Sequence, residues 1–142
     1  MMNIKIKKIL RKKNKSKIVC LTAYSKSIAK ILDNYCDIVL VGDSMANVLY
    51  GMADTHKLSL ENIIQHTRSV KKGIKKSLLV VDMPKDTYSN LKSAIKNVQL
   101  VIKKTGCDAV KLENHKKNFN IIKSLVKKKI PVMGHIGYTP QF

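Results

Sequence analysis

A chain of 142 residues with 44% hydrophobic content is the size of one domain with a buried core, and no Pro/Gly-rich linker divides it. Its 28 Lys+Arg against 9 Asp+Glu leave a formal charge of +19, a balance that by itself points to nucleic acid or an acidic membrane surface. The excess is almost entirely Lys, with Arg only at Arg11 and Arg68, and no aromatic residues are interleaved as stacking platforms, so a solvated surface is the expectation and nucleic acid is not an expected partner.

Residues 1–17 read as a basic N-terminal arm, too interrupted by Lys to form the apolar core of a signal peptide. No later segment is apolar over the length that spans a bilayer, so no membrane partner is expected. Cys20, Cys36 and Cys107 lack CxxC spacing and are odd in number, which fits reduced thiols in a cytoplasmic protein.

From residue 18 to 142 the pattern is that of one α/β domain. Ile18 to Thr22 is a short apolar run, and Ile28, Ile31, Leu32 and Tyr35 follow at helical spacing. Ile38 to Val41 is a second run, with the residues from Met45 to Leu58 expected as a long irregular, functional loop. Ser59 is a candidate N-cap for a helix carrying Leu60, Ile63, Ile64, Thr67 and Val70 on one face, ending near Gly73. Leu78 to Val81 forms the third run, and Leu91, Ile95, Val98 and Ile102 mark a helix that Gly106 closes. Ala109 to Glu113 is the fourth strand, with Phe119, Ile122, Leu125 and Val126 expected inward on the next helix. Ile130 to Met133 enters a fifth strand, and the chain stops soon after it, without a further helix. Alternating β and α units imply right-handed crossovers and a parallel sheet. Periodicity leaves a small doubly wound sheet and part of a (β/α)₈ barrel open, although no strand is followed by a GxGxxG or Walker glycine loop.

The polar residues gather at strand ends: Asp43 and Ser44 after the second, Asp82 after the third, Lys111 and Glu113 on the fourth, His135 on the fifth. Carboxyl ends of parallel strands are where α/β folds place ligands. Lys111 and Glu113 are two apart and share one side of their strand. Each residue alone has a structural reading: an Asp after a strand as a turn former, a Lys-x-Glu pair as an ion pair, a single His as a hydrogen-bonded structural residue. It is their recurrence at four consecutive strand ends that suggests a site. Three carboxylates without a Cys/His cluster are a hard oxygen set suited to Mg²⁺. His66 and His115 read as solvated, whereas His56 sits in the long loop within reach of the rim.

Several stretches resemble one enzyme family: Leu21-Thr22-Ala23-Tyr24, Val41-Gly42-Asp43-Ser44, His66-Thr67, Asp82-Met83-Pro84, Asp108 to Glu113, and Pro131 to Gly137 with Thr139-Pro140-Gln141. They resemble ketopantoate hydroxymethyltransferases, in unbroken order from about Lys17 onward. The resemblance implies a (β/α)₈ TIM barrel of the phosphoenolpyruvate/pyruvate type, of which these residues are the first five strands and four helices. It implies hydroxymethyl transfer from 5,10-methylenetetrahydrofolate to 3-methyl-2-oxobutanoate, giving 2-dehydropantoate for pantothenate and coenzyme A biosynthesis. By matching motif, Asp43, Asp82 and Glu113 correspond to the Mg²⁺ site, directly or through water, and Asp43, Ser44, Asp82 and Lys111 to the keto-acid contacts. His135 faces the substrate in a supporting role. The family forms homo-oligomers. Its general-base glutamate lies beyond the fifth strand, so neither glutamate here matches it, and the resemblance leaves the activity of these residues alone open. Met45-Ala46-Asn47, Lys85 and Asn114-His115 depart from the family pattern, two of these sites replacing glycines, and altered loop geometry is expected there. Two alternatives stand beside this reading: another Mg²⁺-dependent oxo-acid lyase or mutase of the same barrel type, and a non-catalytic chain that binds a companion chain.

Overall fold

The computed structural model describes residues 3–115 and 118–142. Met1 and Met2, at the start of the expected arm, lie outside the described residues. Five strands, β1 (Cys20–Thr22), β2 (Ile38–Val41), β3 (Leu78–Asp82), β4 (Ala109–Glu113) and β5 (Val132–His135), alternate with helices α2 (Lys26–Leu32), α3 (Met45–Val48), α4 (Leu60–Lys71), α5 (Leu91–Thr105) and α6 (Phe119–Lys127), all preceded by α1 (Ile4–Arg11). Every neighbouring strand pair is parallel, in the order β1-β2-β3-β4-β5. Such an order has no point at which the winding reverses, which is the mark of a barrel wall and not of a doubly wound sheet.

Strand side chains alternate between two environments. Val39, Val41, Leu79, Val81, Val110 and Leu112 face outward and pack with α4, α5 and α6 residues such as Ile63, Val70, Val98 and Leu125. The other face is concave, and Ile38, Leu78, Val80 and Ala109 fill its lower end with Leu40 and Met133. Register stacks this face in layers: Leu40 lies opposite Val80 and Val80 opposite Ala109. Asp82, Lys111 and Met133 come next, and Glu113 and His135 above them. Two-residue periodicity therefore carries the concave face from aliphatic to ionisable within one strand length.

The basic segment contains a helix, α1, which the density of Lys conceals. Ile6 and Ile9 pack beneath the aliphatic layer. Its cations meet carboxylates at the bottom of the sheet: Lys5 Nζ lies 3.4 Å from Asp108 Oδ2 and donates to the Ser77 carbonyl at 2.8 Å, and Lys12 Nζ is 2.6 Å from Asp37. The Lys12 contact, with a hydrogen bond from the Val19 N–H, holds the Asp37 carboxyl below the usual range. Asn3 caps the helix at the Lys5 N–H and also donates to Asp108.

Three expectations change. The segment after β2 opens with a helical turn, α3, that buries Met45 and Ala46. Neither Ala46 nor Asn114 nor His115 adopts positive φ, so no glycine conformation is required at those departures from the family pattern. Helix faces are rotated from the apolar spacing: Ile28, Ile31 and Tyr35 are exposed while Ala29 is buried, and on α6 Phe119 and Val126 are exposed while Ile121 is buried beside Leu125, which faces inward as expected. In α2 the reason is a close crossing. A Cβ on Gly73 would sit 2.5 Å from the Lys26 carbonyl oxygen and 2.9 Å from the Ala29 Cβ, so small residues on both sides let α2 reach the end of α4.

Asp33 anchors the same corner. At the C-cap of α2, its buried carboxylate accepts backbone N–H groups of Lys75, Lys76 and Ser77 at 2.8–3.0 Å. Burial alone would raise its pKa, and these donors outweigh burial and lower it.

Candidate active site

The carboxyl ends of the strands assemble the residues singled out in the sequence. β2 is followed by Gly42, whose missing Cβ leaves room for the Ser44 hydroxyl, since an added Cβ would stand 3.0 Å from Ser44 Oγ. That hydroxyl shares a 2.8 Å hydrogen bond with Tyr24 Oη from the end of β1. Asp43 beside it is buried.

On β3 and β4 the register places Asp82 opposite Lys111, and Lys111 Nζ donates to Asp82 Oδ2 at 2.5 Å. Asp82 is 1% exposed, and its second oxygen, Oδ1, has no hydrogen-bond partner among the described residues. Burial, opposed by Lys111 and reinforced by the nearby Asp43 charge, pushes the Asp82 carboxyl up to about 7. Glu113 is wholly buried and likewise raised, first by burial. Its Oε2 accepts the backbone N–H of Gln141 at 3.0 Å, while Oε1 has no hydrogen-bond partner among the described residues and lies 3.6 Å from His135 Nδ1. Asp43, Ser44, Asp82, Lys111, Glu113 and His135 thus occupy one rim.

Sequence reasoning missed Gln141 and Tyr88. Gln141 is fully buried although it follows β5 in an irregular segment. Its Nε2 donates to Asp43 Oδ2 at 2.8 Å and to the Met83 carbonyl at 3.0 Å, and its Oε1 accepts from the Tyr88 hydroxyl. Burial keeps that phenol protonated by raising its pKa. No periodicity announces Gln141; only the Thr-Pro-Gln motif hints at it. Among the described residues no three His, Cys, Asp or Glu side chains stand close enough to hold a metal ion by themselves. The carboxylates are instead tied together through Lys111 and Gln141.

The histidines divide differently from the sequence reading. His66 is bonded, through Nδ1 to the Tyr24 carbonyl at 2.8 Å and through Nε2 to Tyr50 Oη at 2.9 Å. Its ring fixes the β1 end against α4. His115 is exposed but stacks on Phe142, with centroids 5.0 Å apart. His56 reaches the segment after β5, its Nε2 bonding the Pro140 carbonyl at 3.0 Å, with Lys85 Nζ 3.2 Å from its Nδ1.

Comparison with known proteins agrees with this geometry. The family model described as ketopantoate hydroxymethyltransferase matches residues 3–142. A 3-methyl-2-oxobutanoate hydroxymethyltransferase of Pelagibacter ubique (strain HTCC1062) is 57% identical over 140 residues, covering 99% of this chain and 54% of the relative. One from Anaplasma marginale (strain St. Maries) is 46% identical, covering 99% of this chain and 50% of the relative. This chain spans about half the length of the curated relatives it matches. Among solved structures, a 2,3-dimethylmalate lyase of the PEP mutase/isocitrate lyase superfamily aligns with TM-score 0.64 at 12% identity, over 94% of this chain and 54% of its own. A phosphonopyruvate hydrolase in complex with oxalate and Mg²⁺ aligns with TM-score 0.63 at 14% identity, over 77% of this chain and 38% of its own. These two likenesses establish the fold as that of a TIM barrel, of which the parallel sheet β1 to β5 is a part. With the family model covering all but the first two residues, the chain belongs to the ketopantoate hydroxymethyltransferase family.

Proposed function

We propose that this chain provides the keto-acid side of a hydroxymethyltransferase site that converts 3-methyl-2-oxobutanoate to 2-dehydropantoate with 5,10-methylenetetrahydrofolate as one-carbon donor. The observation that carries the reading is the rim itself: Asp43, Asp82, Lys111 and Glu113 converge at strand ends, with one oxygen each of Asp82 and Glu113 buried and unpartnered among the described residues. Buried carboxylate oxygens without donors call for a cation, and a hard divalent ion with oxygen ligands suits them. Asp43, Asp82 and Glu113 would hold Mg²⁺, with water completing the shell, in keeping with the wide spacing of these side chains. Bound there, the ion supplies Lewis acidity that polarises the α-keto group and acidifies the adjacent C–H.

The protein groups have separate tasks. Lys111 sets a positive charge beside the carboxylates and attracts the anionic acid. Ser44, oriented by Tyr24, presents a hydroxyl to the substrate carboxylate or keto oxygen. His135 faces the reacting carbon from β5, its Nδ1 turned toward Glu113. The proton leaves C3 of the acid to a base that no glutamate of this chain matches; water cleaves both C–N bonds of the folate's methylene bridge, releasing tetrahydrofolate and a one-carbon unit at the formaldehyde level, and the carbanion adds to the carbonyl carbon of that unit, whose oxygen takes a proton to become the product hydroxyl. The +19 surface steers both anionic reactants toward the site.

The exposed Ile18 and Val19 just before β1, Leu21 on it, and the exposed Phe119 and Val126 on α6 support association with further copies in the assembled enzyme. Three free cysteines support a cytoplasmic setting. Titration calorimetry with Mg²⁺ present tests the reading. The branched acid is expected to bind in preference to oxaloacetate and phosphonopyruvate, with binding lost in Asp82→Asn. Binding that ignores both Mg²⁺ and Asp82→Asn refutes it.

A further inference from the structure

We propose that Gln141 is a positioning residue for the cation: by engaging one oxygen of Asp43 and one of Glu113, it decides which carboxylate oxygens remain free to bind. The inference rests on the metal reading above and adds a residue to it.

The geometry is one-sided in a useful way. Gln141 contacts Asp43 only at Oδ2, through its side-chain amide, and Glu113 only at Oε2, through its backbone N–H. Among the described residues Glu113 Oε1 stays unpartnered, as does Asp82 Oδ1, whose neighbouring oxygen is taken by Lys111. Asp82 and Glu113 are therefore each held by one oxygen with the other spare, and Asp43 is gripped in the same manner at one end. Such hydrogen bonds to the ligating carboxylates set their orientation and the cost of losing it.

The orientation of the amide is itself determined. The Tyr88 hydroxyl, kept protonated by burial, donates to Oε1. Nε2 then faces two acceptors, Asp43 Oδ2 and the Met83 carbonyl. Reversing the amide would set Oε1 against both acceptors, so Tyr88 selects the orientation in which Gln141 donates. All the hydrogen-bonding atoms of this side chain are satisfied inside the protein, so the contact needs no water to complete it. From outside, His56 holds the adjacent Pro140 carbonyl and His115 stacks on Phe142, which fixes the segment that carries Gln141.

The test uses Mn²⁺ as a paramagnetic stand-in for Mg²⁺. Its dissociation constant is read by electron paramagnetic resonance for the wild-type chain, Asp82→Asn, Gln141→Ala and Tyr88→Phe, with melting temperature in EDTA measured alongside. Asp82→Asn is expected to lose binding. Gln141→Ala is expected to weaken it by about 10- to 100-fold, the usual effect of removing a group that orients a metal ligand. Tyr88→Phe, which keeps the ring in the core and touches no carboxylate, is expected to weaken binding several-fold, and it decides the matter if Gln141→Ala does not fold. Loss of binding in Asp82→Asn, with Mn²⁺ affinity unchanged in the other two variants whatever their melting temperatures, overturns the role of Gln141 and leaves the metal reading intact. Unchanged affinity in Asp82→Asn overturns both.

Discussion

The raised pKa of Asp82 makes the stability of the metal-free chain fall as pH rises, and the size of the fall follows from the structure. An ordinary aspartate titrates near 3.8, whereas burial at the rim moves this one to about 7. The folded state thus binds the proton more tightly than the unfolded state. Its contribution is fully present below the unfolded value and is lost as pH climbs through the folded one. Between pH 5 and pH 7 the loss works out to about 2 kcal/mol, and across the whole interval to about 4 kcal/mol. Glu113 shifts in the same direction and steepens the trend, while Asp33 and Asp37 are lowered and titrate outside this window. Urea unfolding in EDTA at pH 5, 6 and 7 measures the slope. In Asp82→Asn the amide still offers Lys111 an oxygen but carries no proton equilibrium, so most of the slope is expected to vanish. Saturating Mg²⁺ is expected to restore stability at pH 7 in the wild type and not in the variant. Parallel wild-type and variant slopes would refute the assignment of Asp82 as a buried carboxylate held near neutrality.

Asp33→Ala removes a carboxylate that accepts three backbone N–H groups, and a loss of about 3 kcal/mol is expected at pH 7 by denaturant unfolding. Because the Asp33 carboxyl is lowered in the folded state, its stabilisation is present above the unfolded pKa, and the gap to wild type should close as pH drops below about 4. Gly73→Ala forces a Cβ to within 2.5 Å of the Lys26 carbonyl and 2.8 Å of the Lys30 nitrogen, both backbone atoms. The resulting separation of α2 from α4 is expected to cost about 1–3 kcal/mol, seen as a lowered melting temperature. Gly106→Ala meets nothing nearer than Lys71 Cε at 3.6 Å, so only its left-handed φ of 64° is penalised, at about 1 kcal/mol in the same assay.

Where the sequence was legible, periodicity and chemistry spoke together. Ile38 to Val41 and Leu78 to Val81 are short aliphatic runs, the first followed by Gly42-Asp43 and the second closed by Asp82, and both became buried strands with an Asp at the rim. Lys111 and Glu113 share a side because they are two apart, and they do so whatever the neighbouring strands are. Helix faces were less legible, because apolar spacing marks a stripe without saying which of two adjacent stripes meets the sheet. Close approach at Ala29 and Gly73 decided that for α2, leaving Ile28 and Ile31 outside. Around α1, Ile6 and Ile9 are flanked by Lys5 and Lys12, whose partners, Asp108 and Asp37, lie far along the chain. Local pattern could not distinguish a solvated arm from a docked helix.

Gln141 shows the limit in its sharpest form. It stands 98 residues from Asp43 and 28 from Glu113, in a stretch with no regular spacing, and its type is neutral and ordinarily exposed. Nothing local could assign it to a carboxylate site. Three-dimensional accounting does so from the other end. Asp43, Asp82 and Glu113 bring like charges into a buried rim, and each must find a donor or remain partly neutral. Lys111 answers Asp82 from the adjacent strand, in register, and not Glu113, the ion-pair partner that their spacing on one strand suggests. For Asp43 and Glu113 the donor came from the segment that crosses over the rim after β5. The neutral amide of Gln141 and its backbone N–H quiet two charges without adding a cation that would compete with the metal, and among the described residues one oxygen each of Asp82 and Glu113 is left buried without a hydrogen-bond partner.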